Sequence, residues 1–199
     1  MSYHGYLKLV KEHLSSRAHP PSFLEVGVDR GVTFVTLAYY LARTHEEFLA
    51  VGIDVNVQEQ VAIMLQNLDR DEAKQQVGLI QGNSLAVLPM LAKQNLKFDA
   101  LLIDGDHNYH TVKNELQHVD ALLAPGGIVL IDDYEGRWSD KDLWYSERDG
   151  YENVSEATTR IDTEKHGVKA AVDEWLLTNS GWEMSRMMNG EPVILKRTT

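Results

Sequence analysis

The sequence of 199 residues contains no cysteine, which excludes disulfide bonds, thiolate metal sites and a cysteine nucleophile. It also lacks any apolar run close to the roughly 20 residues that a membrane-spanning helix needs. Basic residues are scarce: 19 Lys and Arg stand against 30 Asp and Glu, and the formal charge is −11. Such a surface repels phosphate groups, so we expect neither a nucleic-acid partner nor a membrane. Oxygen and imidazole groups remain as candidate metal ligands.

The first residues show no basic region followed by an apolar segment, which is the pattern of a secretory signal, so the sequence predicts a cytoplasmic location. The composition, 43% hydrophobic and 25% charged, is typical of a globular domain. We expect residues 1–199 to form a single domain, because domains commonly hold about 50 to 250 residues. Residues 1–20 would contribute an N-terminal helix, and the polar and aromatic residues 134–165 predict a long loop or lid.

Short apolar runs alternate with segments of helical periodicity through most of the chain. Five runs predict strands, at residues 22–27, 48–55, 76–82, 98–104 and 126–132. Helices at 32–44, 56–68, 84–91 and 109–123 provide the crossovers that parallel strands need. A helix at 168–177 precedes Asn189 and Gly190, which predict a type I′ turn between two antiparallel strands. We therefore expect an α/β fold, a doubly wound, mostly parallel, seven-stranded sheet with an antiparallel C-terminal hairpin.

Acidic residues follow two of the predicted strands directly. Asp104, Asp106 and His107 come after the fourth strand, and Asp132 and Asp133 come after the fifth. One helix joins these strands, so we expect them to be neighbours whose carboxyl ends lie side by side. Carboxylates this close cannot all stay ionised without compensation, and a hard divalent cation such as Mg²⁺ suits an all-oxygen site.

The turn after the first strand, with the sequence EVGVDRG, points to a nucleoside ligand. Gly27 permits a tight turn, and Gly31 lets a ligand approach the backbone and the start of the next helix. Asp54 ends the second strand 23 residues after Gly31, near the interval of an acid that binds ribose hydroxyls. Asp29 stands where a dinucleotide site has glycine, and its side chain would meet a pyrophosphate at close range. A phosphate-free nucleoside fits this turn better.

These residues, together with the stretch from 98 to 134, resemble class I S-adenosylmethionine-dependent methyltransferases. The stretch from 98 to 134 resembles the family of small-molecule O-methyltransferases, which includes the magnesium-dependent sugar methyltransferases of antibiotic pathways. The resemblance covers about residues 22–134 and implies a Rossmann-like methyltransferase fold. It also implies S-adenosylmethionine and Mg²⁺, or a similar divalent cation, as cofactors.

The same resemblance implies roles for particular residues. It assigns cofactor binding to Glu25, Gly27, Gly31, Asp54, Asn83 and Ser84, metal ligation to Asp104, Asp132 and Asp133, and proton transfer to Asp106 or His107. The implied reaction is methyl transfer to a hydroxyl of a small molecule. A sugar or another diol-like acceptor would suit binding to a metal through two oxygens.

Plainer structural roles compete with several of these assignments. The glycines could serve the turn alone, and Ser84 or Asp106 could cap the helix that follows it. Asp132 or Asp133 could accept hydrogen bonds from loop amides. His118 is interpreted as an ordinary helix residue.

Other chemistries are also open at this stage. His107 and His110 could form a metal-binding pair. The sequence GNSLA approximates the nucleophile elbow of serine hydrolases, with Ser84 as nucleophile and Asp132 and His166 following in the expected order. A third alternative is a protein that binds S-adenosylmethionine without catalysis.

Aromatic side chains are concentrated in the long loop that follows the acidic residues. They could form a lid over the acceptor, or they could pack the loop onto the domain or onto a second subunit of a homo-oligomer. The residues concerned are Tyr134, Trp138, Trp144, Tyr145 and Tyr151.

Overall fold

Seven strands form one sheet in the computed structural model of the chain, which describes residues 4–151, 153–185 and 193–198. The strands are β1 (Ser22–Val26), β2 (Leu49–Asp54), β3 (Val77–Gln81), β4 (Phe98–Ile103), β5 (Leu123–Ile131), β6 (Trp182–Ser185) and β7 (Val193–Arg197). Their order in the sheet is β3-β2-β1-β4-β5-β7-β6. The strands β1 to β5 are parallel, whereas β7 pairs antiparallel with both β5 and β6.

Helices connect the strands and cover the sheet. They are α1 (His4–Ser15), α2 (Val32–Thr44), α3 (Glu59–Gln66), α4 (Asp71–Lys74), α5 (Ser84–Lys93), α6 (Tyr109–Leu116), α7 (Val119–Leu122) and α8 (Gly167–Thr178). A single 3₁₀ turn (Tyr145–Glu147) lies in the long loop. This arrangement confirms the predicted doubly wound, mostly parallel sheet with antiparallel C-terminal strands. The predicted turn at Asn189 and Gly190 lies outside the described residues.

Three elements differ from the sequence prediction, and one of them, α4, was not predicted at all. The helix predicted over residues 109–123 divides into α6 and α7, because the amides of Gln117 and His118 donate to carbonyls three residues back and so end the α-helical pattern. His118 therefore lies in the break as the N-cap of α7, and its interpretation as a helix residue was wrong. The strand β5 begins earlier than expected, since Leu123 pairs with Phe98 across a register irregularity.

The central strands bury side chains on both faces of the sheet. In β4, Leu101 and Ile103 belong to one apolar cluster, whereas Ala100 and Leu102 belong to the other. Residues of α5, α6 and α8 complete the first cluster, and residues of α1, α2 and α3 complete the second. Helices on both faces explain why β4 is an unbroken apolar run. Among the described helices, none combines the length and apolar content that crossing a membrane requires.

A buried acid anchors the amino-terminal end of β4. The Asp99 side chain is fully buried and accepts hydrogen bonds from the Ser22 amide at 2.9 Å and the Ser22 hydroxyl at 3.0 Å. The Nε of Arg17 lies 2.7 Å from its other oxygen, and the same guanidinium donates to the carbonyl of Pro125 at 2.6 Å. These contacts tie β1, β4 and β5 together at the end of the sheet opposite the acidic strand tips.

Replacement of Asp99 by Ala should lower the free energy of unfolding by about 3 kcal/mol, because it leaves a mostly buried Arg17 without its partner. Urea-induced unfolding measures the change. Asp69→Ala is the matched control, since the Asp69 side chain is 71% exposed and lies 3.7 Å from Arg43. That exposed pair should contribute only about 0 to 1 kcal/mol. Equal losses in the two variants would contradict the anchoring role of Asp99.

Candidate active site

A cleft opens where the carboxyl ends of β1 to β4 meet, the place at which doubly wound sheets bind ligands. The turns after the strands line it, with Gly27 and Asp29 after β1, Asp54 at the end of β2, Asn83 and Ser84 after β3, and Asp104 and Asp106 after β4. Tyr145, Tyr151 and Thr158 of the long loop also line it. The structure thus brings together most of the residues that the sequence assigned to cofactor binding.

Gly27 and Gly31 shape the cleft through their backbone. Gly27 has φ of 90°, and a Cβ at this position would stand 2.1 Å from the carbonyl oxygen of Asp104. Gly31 precedes α2 with φ of 76°, and its Cβ would lie 2.8 Å from the side chain of Val35 and 3.1 Å from that of Val61. A side chain at either position would push apart the elements that form the cleft.

Asp54 presents a fixed carboxylate at the end of β2. Its two oxygens accept hydrogen bonds from the amides of Asp29 and Asn56, each at 2.8 Å. Burial raises the pKa of Asp54, and these amide hydrogen bonds oppose the shift. The Val28 amide is a third backbone donor to this carboxylate. Since a carboxylate has about four acceptor positions, about one is left for a ligand hydroxyl.

Glu25 lies in β1, between the strands that carry Asp54 and Asp104. Its side chain is 2% exposed, and its Oε2 makes no hydrogen bond within the part of the chain that the structure describes. Burial raises its pKa well above the usual range, and the charge of Asp54 adds to the effect. Glu25 is therefore a buried carboxyl that favours its neutral form and interacts electrostatically with Asp54 and Asp104.

Asn83 and Ser84, at the end of β3, have different hydrogen-bond partners. Asn83 is the N-cap of α5, because its Oδ1 accepts from the amide of Leu85 at 2.9 Å. Ser84 lies one residue further on, and its hydroxyl donates to Oε1 of the buried Glu115 at 2.5 Å. The hypothesis that Ser84 caps this helix was wrong, since the preceding side chain has that position.

Two carboxylates and an imidazole converge at the tips of β4 and β5. Ligand atoms of Asp104, His107 and Asp132 all lie within 4.8 Å of one another. The Nε2 of His107 is 3.6 Å from Asp104, and its Nδ1 is 3.9 Å from Asp133. Asp133 therefore borders the group on the other side of the imidazole, and His110 is not part of the group.

The charges of this acidic group are poorly compensated. Burial raises the pKa of Asp104 well above the usual range, and the neighbouring charges of Asp132 and Glu25 raise it further. Burial also raises the pKa of Asp132 and lowers that of His107. The group thus favours holding protons on its carboxyls and none on the imidazole. A divalent cation could replace the protons, and the carboxylate oxygens fit Mg²⁺ or Mn²⁺.

Asp106 has a different environment from its neighbour His107. Its carboxylate accepts from the amide of Tyr145 at 3.1 Å and from the Thr111 hydroxyl at 3.4 Å. Burial raises its pKa to about 6. The hypothesis that Asp106 caps the next helix was wrong, because Asn108 is the N-cap and accepts from the Thr111 amide at 2.7 Å.

The long loop folds over the cleft. The amide of Leu143 donates to the carbonyl of His107 at 2.9 Å, and Nδ2 of Asn83 donates to the carbonyl of Glu156 at 2.8 Å. The rings of Tyr145 and Tyr151 meet edge to face with centroids 5.0 Å apart at the cleft. Trp144 and Tyr134 are buried, and Trp138 lies beneath the cations of Arg137 and Lys141. The loop therefore both packs on the domain and covers the cleft.

Sequence reasoning missed two polar residues of the site. Glu115 is fully buried beneath Ser84, and Thr158 brings a hydroxyl from the long loop to the cleft. Glu115 lies one helical turn after Thr111, on the buried face of α6, which is a signal for an acid with a special role. Thr158 has no comparable signal, because its position depends on the path of an irregular loop.

The contacts of Ser84, Asp132 and His166 do not support the serine hydrolase alternative. Ser84 donates to Glu115, and Nδ1 of His166 pairs with Asp142 at 2.7 Å. Asp132 belongs to the acidic group with His107. The three residues of the supposed triad therefore have separate partners.

Comparison with known proteins identifies the family of the central region. The profile of a methyltransferase domain matches residues 24–134, which is more than half of the chain. A search of curated protein sequences found no match.

Solved structures of methyltransferases share the fold. MycE, a methyltransferase from the mycinamycin biosynthetic pathway in complex with Mg, SAH and mycinamycin VI, is 13% identical with a TM-score of 0.60, and the match covers 99% of this chain and 50% of MycE. The calicheamicin methyltransferase CalS11 is 17% identical with a TM-score of 0.61, covering 98% of this chain and 80% of that one. An O-methyltransferase from Bacillus cereus in complex with SAH is 15% identical with a TM-score of 0.53, covering 95% and 76%. This chain thus has the class I methyltransferase fold and spans about half the length of MycE.

The buried Glu115 should make stability depend on pH. Burial raises its pKa to about 8, whereas an unfolded glutamate has a pKa of about 4.3. Between these values the native state binds the proton that the unfolded chain has released, so the free energy of unfolding falls as pH rises, by up to about 1.4 kcal/mol per pH unit. Urea unfolding at pH 5, 6.5 and 8 should show this fall in the wild type and a smaller one in Glu115→Gln.

Glu72→Gln serves as the control for that series, because Glu72 is exposed on α4. It should keep the pH slope of the wild type. A slope in Glu115→Gln as steep as in the wild type would show that other groups cause the dependence.

Proposed function

We propose that this chain, which belongs to the methyltransferase domain family, transfers a methyl group from S-adenosylmethionine to a hydroxyl of a small molecule with the help of a divalent cation. A sugar or another acceptor with neighbouring hydroxyls is the substrate class that fits best. The observation that carries the proposal is the position of Asp104. It lines the nucleoside cleft and is also a member of the acidic group. The residue thus joins the cofactor site to the place where a metal-bound acceptor would lie.

The cofactor side of the cleft would hold a nucleoside by its ribose and base. Asp54 would accept a hydrogen bond from a ribose hydroxyl, and Asn83 and Ser84 lie at the end where the base would lie. Gly27 and Gly31 keep the turn beside Asp104 free of side chains. When bound, S-adenosylmethionine supplies an electrophilic methyl group on a sulfonium that becomes a neutral thioether on transfer.

The acidic group would hold the cation. The proposed ligands are Asp104 and Asp132, which belong to the group, and Asp133, which borders it on the other side of His107. Their position at two neighbouring strand tips supports this assignment. When bound, the cation would orient neighbouring hydroxyls of the acceptor and lower their pKa. The complexes of MycE with Mg support a metal in a protein of this fold, and the name of CalS11, a TDP-rhamnose 3'-O-methyltransferase, supports a sugar as the type of acceptor.

His107 is the proposed base. Burial lowers its pKa, so the imidazole is neutral near pH 7 and can accept the hydroxyl proton. Its two nitrogens lie 3.6 Å from Asp104 and 3.9 Å from Asp133, and the charges of Asp132 and Asp133 would stabilise the imidazolium after proton transfer. Asp106, the other candidate from the sequence, contacts Tyr145 and Thr111 and not this group.

Binding measurements separate the two halves of the proposed site. The wild type should bind S-adenosylhomocysteine in calorimetry and Mn²⁺ in electron paramagnetic resonance. Asp132→Asn should weaken Mn²⁺ binding at least about tenfold, because it removes a charged ligand, and should keep cofactor affinity. Asp54→Asn should weaken cofactor binding and keep the affinity for Mn²⁺. Loss of both ligands in both variants would contradict two separable sites.

An activity assay tests the reaction itself. Methyl-labelled S-adenosylmethionine is incubated with a panel of sugars and catechols, with Mg²⁺ or with EDTA. Label should enter a hydroxyl only with the metal, and His107→Gln should lower kcat about 10²- to 10⁴-fold with an unchanged affinity for the cofactor. Equal transfer in EDTA would overturn the role of the metal, and failure of the wild type to bind the cofactor would overturn the proposal as a whole.

A further inference from the structure

The side chain of Asp142, in the long loop, joins the first residues of two helices. One of its oxygens, Oδ1, accepts hydrogen bonds from the Tyr109 amide at 2.9 Å and from the Gly167 amide at 2.8 Å. Tyr109 begins α6 and Gly167 begins α8, and the first amides of a helix have no acceptor within it. The other oxygen, Oδ2, lies 2.7 Å from Nδ1 of His166. A carboxylate that is only 8% exposed therefore bridges α6, α8 and the loop.

The surroundings of Asp142 favour its charged form. Burial would raise the pKa of Asp142, but the hydrogen bonds from the Gly167 and Tyr109 amides and from His166 outweigh it and lower the pKa. A negative charge at the start of a helix is also favourable because of the helix dipole. The starts of two helices thus stabilise one carboxylate.

The segment that carries Asp142 also contacts the backbone around His107. The amide of Leu143 donates to the His107 carbonyl at 2.9 Å, and Nδ2 of Asn108 donates to the Leu143 carbonyl at 3.3 Å. Together with the bond from the Tyr109 amide to Asp142, these contacts involve three consecutive residues, 107, 108 and 109. The backbone of His107 is therefore tied to the loop.

The loop is in turn tied to α8. The amides of Val168 and Lys169 donate to the carbonyls of Trp138 and Ser139, each at 3.1 Å. Gly167 has φ of 81°, and a Cβ at this position would stand 2.3 Å from the carbonyl oxygen of Ser139. Helix and loop thus pack backbone against backbone. Because Val168 is fully buried, α8 gives the loop a support that belongs to the core.

The imidazole of His107 makes no hydrogen bond among the residues that the structure describes. Its nitrogens lie 3.6 Å from Asp104 and 3.9 Å from Asp133, beyond the usual length of a hydrogen bond. The position of the ring among these acids therefore depends on its packing and on the backbone that carries it.

We propose that Asp142 is a positioning residue for His107, and that its Oδ1, by accepting from α6 and α8 at once, sets the place of the imidazole beside the acidic strand tips. The inference rests on the proposed function, which gives His107 the role of base. Asp142 belongs neither to the residues that line the cleft nor to the acidic group, so it acts on the reaction only through His107.

Nuclear magnetic resonance of the chain labelled with ¹⁵N-histidine tests the placement without a methyl acceptor. The ring signals of His107 are identified by their loss in His107→Gln. They should shift in Asp142→Ala, which removes the shared oxygen. They should return to the wild-type positions in Asp142→Asn, because an amide oxygen has two lone pairs and can accept from both amides.

Urea unfolding checks that each variant is folded. If Asp142→Ala does not fold, Asp142→Glu takes its place, since it keeps the charge and displaces the oxygen by one methylene group. It should also shift the ring signals of His107.

Two further variants are matched controls. His166→Ala removes the partner of Oδ2 and leaves both amide contacts of Asp142 in place. Glu174→Gln weakens a second bridge between the same helices, in which Glu174 of α8 accepts from Nζ of Lys113 and from the Tyr109 hydroxyl, each at 2.7 Å. Neither variant should move the ring signals of His107, because neither changes the shared oxygen.

The methyl-transfer assay measures the effect on the reaction. Asp142→Ala should lower kcat at least about tenfold and leave KM for S-adenosylmethionine unchanged, because a small misplacement of a base slows the chemical step and not the binding of the cofactor. Asp142→Asn and the two controls should keep kcat within about twofold of the wild type.

The outcomes separate the inference from the proposed function. Ring signals of His107 that keep their wild-type positions when the shared oxygen is removed or displaced, or an unchanged kcat in that variant, would overturn the positioning role and leave the methyltransferase proposal intact. Equal shifts in the controls would overturn it as well. A wild type that transfers no methyl group would overturn the proposed function, while the ring signals would still decide whether Asp142 sets the place of His107.

Discussion

The crowding of buried carboxylates at the tips of β4 and β5 is the constraint on which the rest of the site depends. Ile103 pairs with Ile131 in the parallel register, so the next residues, Asp104 and Asp132, leave the sheet side by side. Burial raises the pKa of both, because charged groups are costly in this environment. The strong affinity for protons that these carboxyls show is the same property that makes them suitable for a cation. The fold thus places acidic groups together at the tips of β4 and β5, where a positive charge would stabilise their ionised form.

The cofactor cleft is built against that place by backbone contact. A Cβ at Gly27 would stand 2.1 Å from the carbonyl oxygen of Asp104, so the turn after β1 and the end of β4 pack together at a distance that only glycine allows. Methyl transfer requires donor and acceptor to be held in line within a few ångströms, and a shared wall between the cleft and the acidic group would favour such alignment in the proposed reaction.

The sequence predicted the positions at which functional residues leave the sheet, but not the direction of every side chain. Apolar runs reveal buried strands, and parallel strands place their carboxyl ends at one edge, so Asp54, Asp104 and Asp132 could be brought together by periodicity alone. Ser84 and Asn83 differ by one residue, and only the actual start of α5 shows which of them is the cap. Thr158 depends on the path of a long loop that has no periodicity to predict it.

The same limit explains why the sequence left Asp106 and His107 as equal candidates for the base. Both follow β4 within a few residues, and both are buried groups with shifted pKa values. Their contacts distinguish them, because Asp106 is held by the Tyr145 amide of the loop, whereas His107 lies among the acids of two strands. The loop also contacts the backbone of His107, because the amide of Leu143 donates to the His107 carbonyl. The two adjacent residues therefore have different surroundings, since Asp106 lines the cleft and His107 lies among the acids of both strands.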